Sequence, residues 1–405
     1  MATRHPVPRG VMTAPRRIAP IVVILGLAAI PTVALVAFVL SASGAGIPSG
    51  HPQRVAVPDT ERRMTASPAA PPTVGCQATV GGETAAAVEA AVAGAGAGTV
   101  CFPAGRYKGP FVAAVAGQTW RLDEEAVLAG SVAIEAPDVR IDGGTMELPT
   151  DNEWAEGITV NADRATIQGV TFRGGGLVVS VKGRDGTQIL DNHFSGQSGT
   201  AIFIWGEGRG ADDTLIEGNT IDQAAARKAS PISSRAADDA AEGIVNRRIT
   251  IRGNTIDQGD ATTGWFGVEL KLSPGAVIVD NDIRGGAVLV SLPDSDGAIV
   301  SGNRLDLRGS ATWGVEIASS DDVTVQDNMF TGDGPSSDDT AVSMNSGSLR
   351  ALISANRAGG LGALVNLTGN DHLIADNCLA NVKNITAYRS SAGPDVDIVR
   401  NGPCP

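Results

Sequence analysis

Two glutamates stand at matched places in a repeating sequence. Glu269 lies twelve residues before Asn281, and Glu316 lies twelve residues before Asn328. Their surroundings match too: Gly-Trp-Phe-Gly-Val-Glu-Leu at 264–270 and Thr-Trp-Gly-Val-Glu-Ile at 312–317. A pair of carboxylates on one surface is the equipment for acid–base cleavage of a glycosidic bond. Lys271 and Lys182 each lie ten residues before an asparagine of the same series, in a chain with only five Lys. Three of the five Trp (Trp205, Trp265 and Trp313) fall on or just before the same segment. Aromatic rings beside carboxylates suit the apolar faces and hydroxyls of sugars. Catalysis is therefore expected of Glu269, Glu316 and Lys271. Substrate contact is expected of Lys182, Trp205, Trp265, Ser291 and Trp313.

The series that sets these positions is the phrase apolar-x-x-Asn-x-apolar. It recurs as ILDNHF, IEGNTI, IRGNTI, IVDNDI, VSGNRL, VQDNMF, ISANRA and IADNCL. Its asparagines are Asn192, Asn219, Asn254, Asn281, Asn303, Asn328, Asn356 and Asn377, 21 to 35 residues apart. Degenerate copies at IDGGTM and IQGVTF precede them. Self-similarity at this period means a solenoid. Short alternating apolar runs such as GVELKL make its units strands, stacked about 4.8 Å apart. Leu is too sparse for a leucine-rich repeat, and no amphipathic stretch fits a helical repeat. One Asn per coil suits an internal amide ladder.

Alternation then sorts the neighbours of the two glutamates. Val268, Leu270, Val315, Ile317, Val342 and Met344 should point inward. Thr159, Ser180, Phe203, Glu269, Ser291, Glu316, Ser343 and Asn366 should form one outward file. The two glutamates should stand two coils apart, with Ser291 between them. The bland alternative is a solvated sheet with a Glu269–Lys271 surface pair and Trp packed at coil corners.

A short helical stretch (residues 83–98), then GTVCFPAGRY, then coils bearing Asn-x-Phe/Ile, resembles the pectin-lyase-like superfamily of right-handed parallel β-helices. The resemblance covers about residues 80–400. It implies an all-β solenoid of about ten coils with an N-terminal capping helix. The superfamily holds lyases, glycosidases, uronan epimerases and non-catalytic surface proteins, so the fold alone does not choose an activity. The Arg-x-Pro-x-x-Arg and calcium-binding Asp cluster of pectate lyases are missing. So are the Asn-x-Asp and Gly-His-Gly motifs of polygalacturonases.

The rest of the chain frames this body. Residues 1–17 form a basic tail, and Ile18 to Leu40 run without a charge, long enough to span a bilayer. Basic residues ahead of the span place the body outside the cell as a single-pass membrane protein. Cleavage after the span would make it secreted. Residues 41–75 read as a Pro/Ala/Ser/Gly-rich linker, and residues 76–405 as the β-helix domain. The net charge is −13, and the first 75 residues contribute +5, leaving −18 on the body. A body that acidic repels nucleic acid. Four Cys in an exported chain read as two disulfides. The two ends of a ten-coil rod lie roughly 45 Å apart, so Cys76 should pair with Cys101 and Cys378 with Cys404. No metal or other cofactor is expected. Calcium at the Asp-Asp pairs 212–213, 321–322 and 338–339 is the alternative to ordinary turns.

These residues point to a polysaccharide as partner and to glycoside hydrolysis as chemistry. In the expected division, Glu269 beside Lys271 is the base and Glu316 the proton donor. A uronan lyase or epimerase is the first rival; it would take its base from Lys271, Lys182 or His193. A non-catalytic adhesion or structural protein is the second. His372, Arg284 and Arg304 rank as structural, and the insertion at 224–247 could wall a groove. Oligomeric state is not legible.

Overall fold

The computed structural model describes residues 75–404, apart from 151, 153, 224–228, 237–242, 260–265, 310, 346 and 393–394. The basic tail, the apolar run 18–40 and nearly all of the linker lie outside the described residues. Among those described, no helix is long and apolar enough to cross a membrane.

One coil shows how the others are built. Strand Thr324–Gln326 turns at Asp327-Asn328 into strand Met329–Thr331, and a loop leads to strand Thr340–Met344. The next coil begins at Leu352–Ser354. Each strand pairs in parallel with its counterpart one coil on: Val325 with Ile353, Phe330 with Ala358, Val342 with Val365. The first face is a sheet of 14 strands in coil order. The second and third faces are separate ladders until the long strands Arg357–Gly369 and Cys378–Ala392 join them. About 12 coils result, where about ten were expected. The difference lies at the ends. The first coils carry no ladder Asn and fill their interior with Phe102, Trp120 and Leu128 instead.

The ladder asparagines form one internal file. The Nδ2 of Asn281 donates to Asn303 Oδ1 at 2.9 Å and to the carbonyls of Ile251 and Val279 at 2.9 and 3.0 Å. Its Oδ1 accepts both the backbone N–H and the Nδ2 of Asn254. All eight expected members are at most 2% exposed. A ninth, Asn401, accepts from Asn377 at 2.8 Å. The residue ahead of each is left-handed, with φ between 52° and 68°: Asp191, Gly218, Gly253, Asp280, Gly302, Asp327, Ala355, Asp376 and Arg400. Gly and Asp tolerate that conformation, which explains the Asp-Asn and Gly-Asn pairs of the repeat. Ala355 and Arg400 are the strained exceptions.

The N-terminal end is closed by the helix Ala85–Ala95, with Thr84 as its N-cap. Val88, Ala91 and Val92 face the first coils. Gln118 Nε2 donates to the carbonyls of Val92 and Gly96, which the ending helix leaves unpaired. The disulfides pair locally, Cys76–Cys101 and Cys378–Cys404, with Cα atoms 5.6 and 4.7 Å apart.

Candidate functional site

The outward file stands on the third face in the expected register. Thr159, Ser180, Phe203, Ser233, Glu269, Ser291, Glu316, Ser343 and Asn366 are successive Cα partners from coil to coil. Val268, Leu270, Val315, Ile317, Val342 and Met344 point into the core. Although outward, much of the file is covered. Ser180, Ser233, Glu269, Ser291, Ser343 and Asn366 range from 0% to 9% exposed. The file is thus largely polar and covered.

Glu269 and Glu316 are two register steps apart with Ser291 between, about 9.6 Å between Cα atoms. Their partners differ. Glu269 Oε2 accepts from Ser233 Oγ at 3.1 Å and from Arg235 Nη2 at 3.0 Å. The contacting cation is therefore Arg235. Lys271 is exposed and makes no ion pair among the described residues. Glu316 Oε2 accepts from Ser291 Oγ at 2.7 Å, and its Oε1 accepts from Asn345 Nδ2 at 2.6 Å. Both of these partners are neutral, and Glu316 has no ion pair among the described residues.

Sequence reading missed Arg235 because counting back from the ladder fails in that coil. Arg235 sits on strand Ile232–Ala236, which lies within the insertion. Extra residues follow that strand before Asn254, so twelve places back falls beyond it. The readable signal was the alternation Ile-Ser-Ser-Arg-Ala and a cation two places after the outward Ser233.

The expected substrate contacts divide. Lys182 pairs with Glu156 at 2.8 Å, so its charge is taken. Trp205 lies in register between Lys182 and Arg235 and tilts against Phe203 at 5.2 Å. Trp265 lies outside the described residues. Trp313 opens strand Trp313–Ala318, and Ser291 is buried. His193 stands exposed on the second face, between Thr171 and Thr220, away from both glutamates. His372 is 2% exposed. Its Nδ1 accepts from the Ala351 N–H, and its Nε2 meets the Thr368 carbonyl. Burial pushes its pKa below the usual value.

Two of the three Asp pairs are clamped by an arginine of the next coil. Arg248 holds Asp212 and Asp213, and Arg350 holds Asp321 and Asp322. Asp339 Oδ2 accepts from the Asp333 N–H. Arg284 pairs with Asp257 across coils. Arg304 has no ion pair among the described residues. Within them, no group of three His, Cys, Asp or Glu is placed to hold a metal ion.

Toward the C-terminal end of the same face lies a cleft of about 380 Å³. Trp313, Asp338, Thr340, Asn366, Lys383 and Asn384 are among its lining residues. Of these, only Trp313 was singled out from sequence as a contact. Lys383 and Asn384 sit on the last long strand, where the repeat phrase has ended.

A family profile described as a right-handed beta helix region matches residues 156–305. The chain has the right-handed parallel β-helix fold. Among solved β-helices it resembles PfbA, a surface adhesin of Streptococcus pneumoniae. Identity is 15%, over 75% of this chain and 87% of that one, with a TM-score of 0.59. It also resembles the A-module of the mannuronan C-5 epimerase AlgE6 from Azotobacter vinelandii, at 15% identity over 79% and 94% of the chains and TM-score 0.49. A third is DFA-IIIase from Arthrobacter chlorophenolicus A6, at 12% identity over 74% and 83% and TM-score 0.48. No curated protein matches the sequence.

Proposed function

We propose that this β-helix binds a polysaccharide along its third face and hydrolyses a glycosidic bond between Glu269 and Glu316. The observation that carries the reading is the pair itself: two carboxylates two coils apart, in a covered polar floor, separated by the small Ser291. That spacing leaves room for a water beside the sugar. Glu269, facing Arg235, is assigned to activate the water. Glu316, whose partners are neutral, is assigned to protonate the leaving oxygen. Read as a membrane span, the apolar run at 18–40 supports a role at the cell envelope.

A second reading has its own support. Both oxygens of Glu316 already accept hydrogen bonds, and Glu269 Oε2 accepts two. A binding protein without turnover would use carboxylates in this way. A lyase or epimerase would have to rely on Lys271, since Lys182 is paired and His193 is on another face.

The test is a polysaccharide panel read for new reducing ends and for unsaturated products. Glu269→Gln and Glu316→Gln should each lower turnover by at least about a hundredfold, with binding kept. Unsaturated product would favour the lyase. Binding without turnover by the unaltered protein would favour the adhesion role. Turnover retained by both variants removes the pair from the chemistry.

A further inference from the structure

We infer that the cleft beyond Glu316 is a subsite for a neutral sugar ring, one that selects uncharged glycans over uronates; this rests on the reading that the third face takes a polysaccharide. The cleft is built on the same ladder as the glutamates. Asn366 is two register steps from Glu316, about 9.6 Å. Trp313, Thr340, Ala363 and Asn384 are successive partners across its floor. A chain held at Glu316 and running along the coils would therefore lay its next rings here. The volume of about 380 Å³ suits a small ligand.

The lining fixes the chemical class. Trp313 offers an aromatic surface for the apolar face of a pyranose. Around it stand an acceptor, Asp338, a donor, Lys383, and amides and a hydroxyl that can do both, Asn366, Asn384 and Thr340. Sugar hydroxyls each donate and accept, so a mixed lining matches them. A uronate-selective site would need surplus positive charge, and among the described residues the groove shows none. From Ser180 to the cleft, Lys182 is taken by Glu156 and Arg235 by Glu269. What remains without an ion pair, among the described residues, is two cations, Lys271 and Lys383, against two anions, Glu316 and Asp338. The body around them is strongly acidic, which repels a polyanion at long range.

The test titrates the full chain with a panel of neutral hexose tetrasaccharides and the matched hexuronate tetrasaccharides. Neutral ligands should bind, with affinity unchanged between about 0.05 M and about 0.5 M salt. Trp313→Ala should weaken them about tenfold or more, and Trp313→Phe should restore most of the loss. Asp338→Asn and Lys383→Gln should each weaken them severalfold, with unfolding midpoints unchanged. Preference for the hexuronates, lost with Lys383→Gln and suppressed by salt, would overturn the inference. So would neutral binding that Trp313→Ala leaves intact. Glu316→Gln, run in parallel, separates the two claims. If it keeps turnover while Trp313→Ala loses binding, the acid–base assignment falls and the subsite stands. If turnover depends on Glu316 but binding ignores the cleft residues, the subsite falls alone.

Discussion

Removing Arg235 should show whether the groove depends on a single charge pair. The Glu269 side chain is 9% exposed, and its Oε2 has two donors, Ser233 and Arg235. Arg235→Met leaves that carboxylate with one neutral donor. An uncompensated buried charge costs about 3–5 kcal/mol. The Arg235 side chain is 40% exposed, so water can replace part of what it supplies. The expected loss is therefore about 2 kcal/mol, the range for a hydrogen bond to a charged group. Glu269→Gln keeps an acceptor for Ser233 and removes the charge, and should cost about 1 kcal/mol. In the double variant the buried charge is gone, so the two losses should overlap by about 1 kcal/mol or more. Guanidinium unfolding of all four proteins, read by intrinsic fluorescence and circular dichroism, measures the cycle. A loss below about 0.5 kcal/mol for Arg235→Met, or strictly additive losses, would refute the view that Arg235 holds Glu269 in place.

Three further outcomes follow from the ladder and its surroundings. Asn281→Ala strips partners from the Asn254 N–H and from the Ile251 and Val279 carbonyls, and should cost about 3 kcal/mol by equilibrium unfolding. Ala355→Gly relieves a left-handed alanine (φ 53°) and should stabilise by about 1 kcal/mol in the same assay. His372 has a folded-state pKa below its unfolded value, so the unfolded chain binds the extra proton. Its share of stability is complete above about pH 6.5 and falls as pH drops below that value. Protonated Nδ1 would face the Ala351 N–H donor. The unfolding midpoint should therefore decline with acid from about pH 6.5, and His372→Gln should flatten that slope.

What the sequence made legible tracks how strictly each feature repeats. The Asn file was readable because one buried position in every coil needs the same amide geometry. The outward file followed from alternation, and Glu269, Ser291 and Glu316 fall where counting from the ladder puts them. Counting fails where loop length varies, and Arg235 is the result: its strand is regular, but the insertion detaches it from the Asn that would locate it. Ion pairing was less legible still. Lys271 is the near neighbour of Glu269 along its own strand, yet the contact comes from the strand of the preceding coil. Strand neighbours two residues apart stand about 7 Å apart, whereas coil neighbours stand about 4.8 Å apart, so cross-coil partners win. The cleft was invisible for the same reason. Lys383 and Asp338 come from a late strand and a loop, and no sequence interval links them.

The coil spacing also constrains how the proposed bond cleavage would end. Along one file, carboxylates can be separated only by whole coils. One coil, about 4.8 Å, falls near the separation that retaining glycosidases use, about 5–5.5 Å. Two coils, about 9.6 Å between Cα atoms, lead with modest side-chain leaning into the inverting range of about 6.5–9.5 Å. Glu269 and Glu316 occupy the two-coil case, and Ser291 leaves the middle position without a carboxylate. Direct attack of Glu269 on a sugar protonated by Glu316 is then out of reach, and a water must bridge the gap. Hydrolysis should therefore release the inverted anomer first. Proton NMR of the anomeric signal in the first minutes of reaction reads this before mutarotation blurs it. Release of the retained anomer would mean that the nucleophile is not Glu269 acting through water, and the pairing of Glu269 with Glu316 would have to be abandoned.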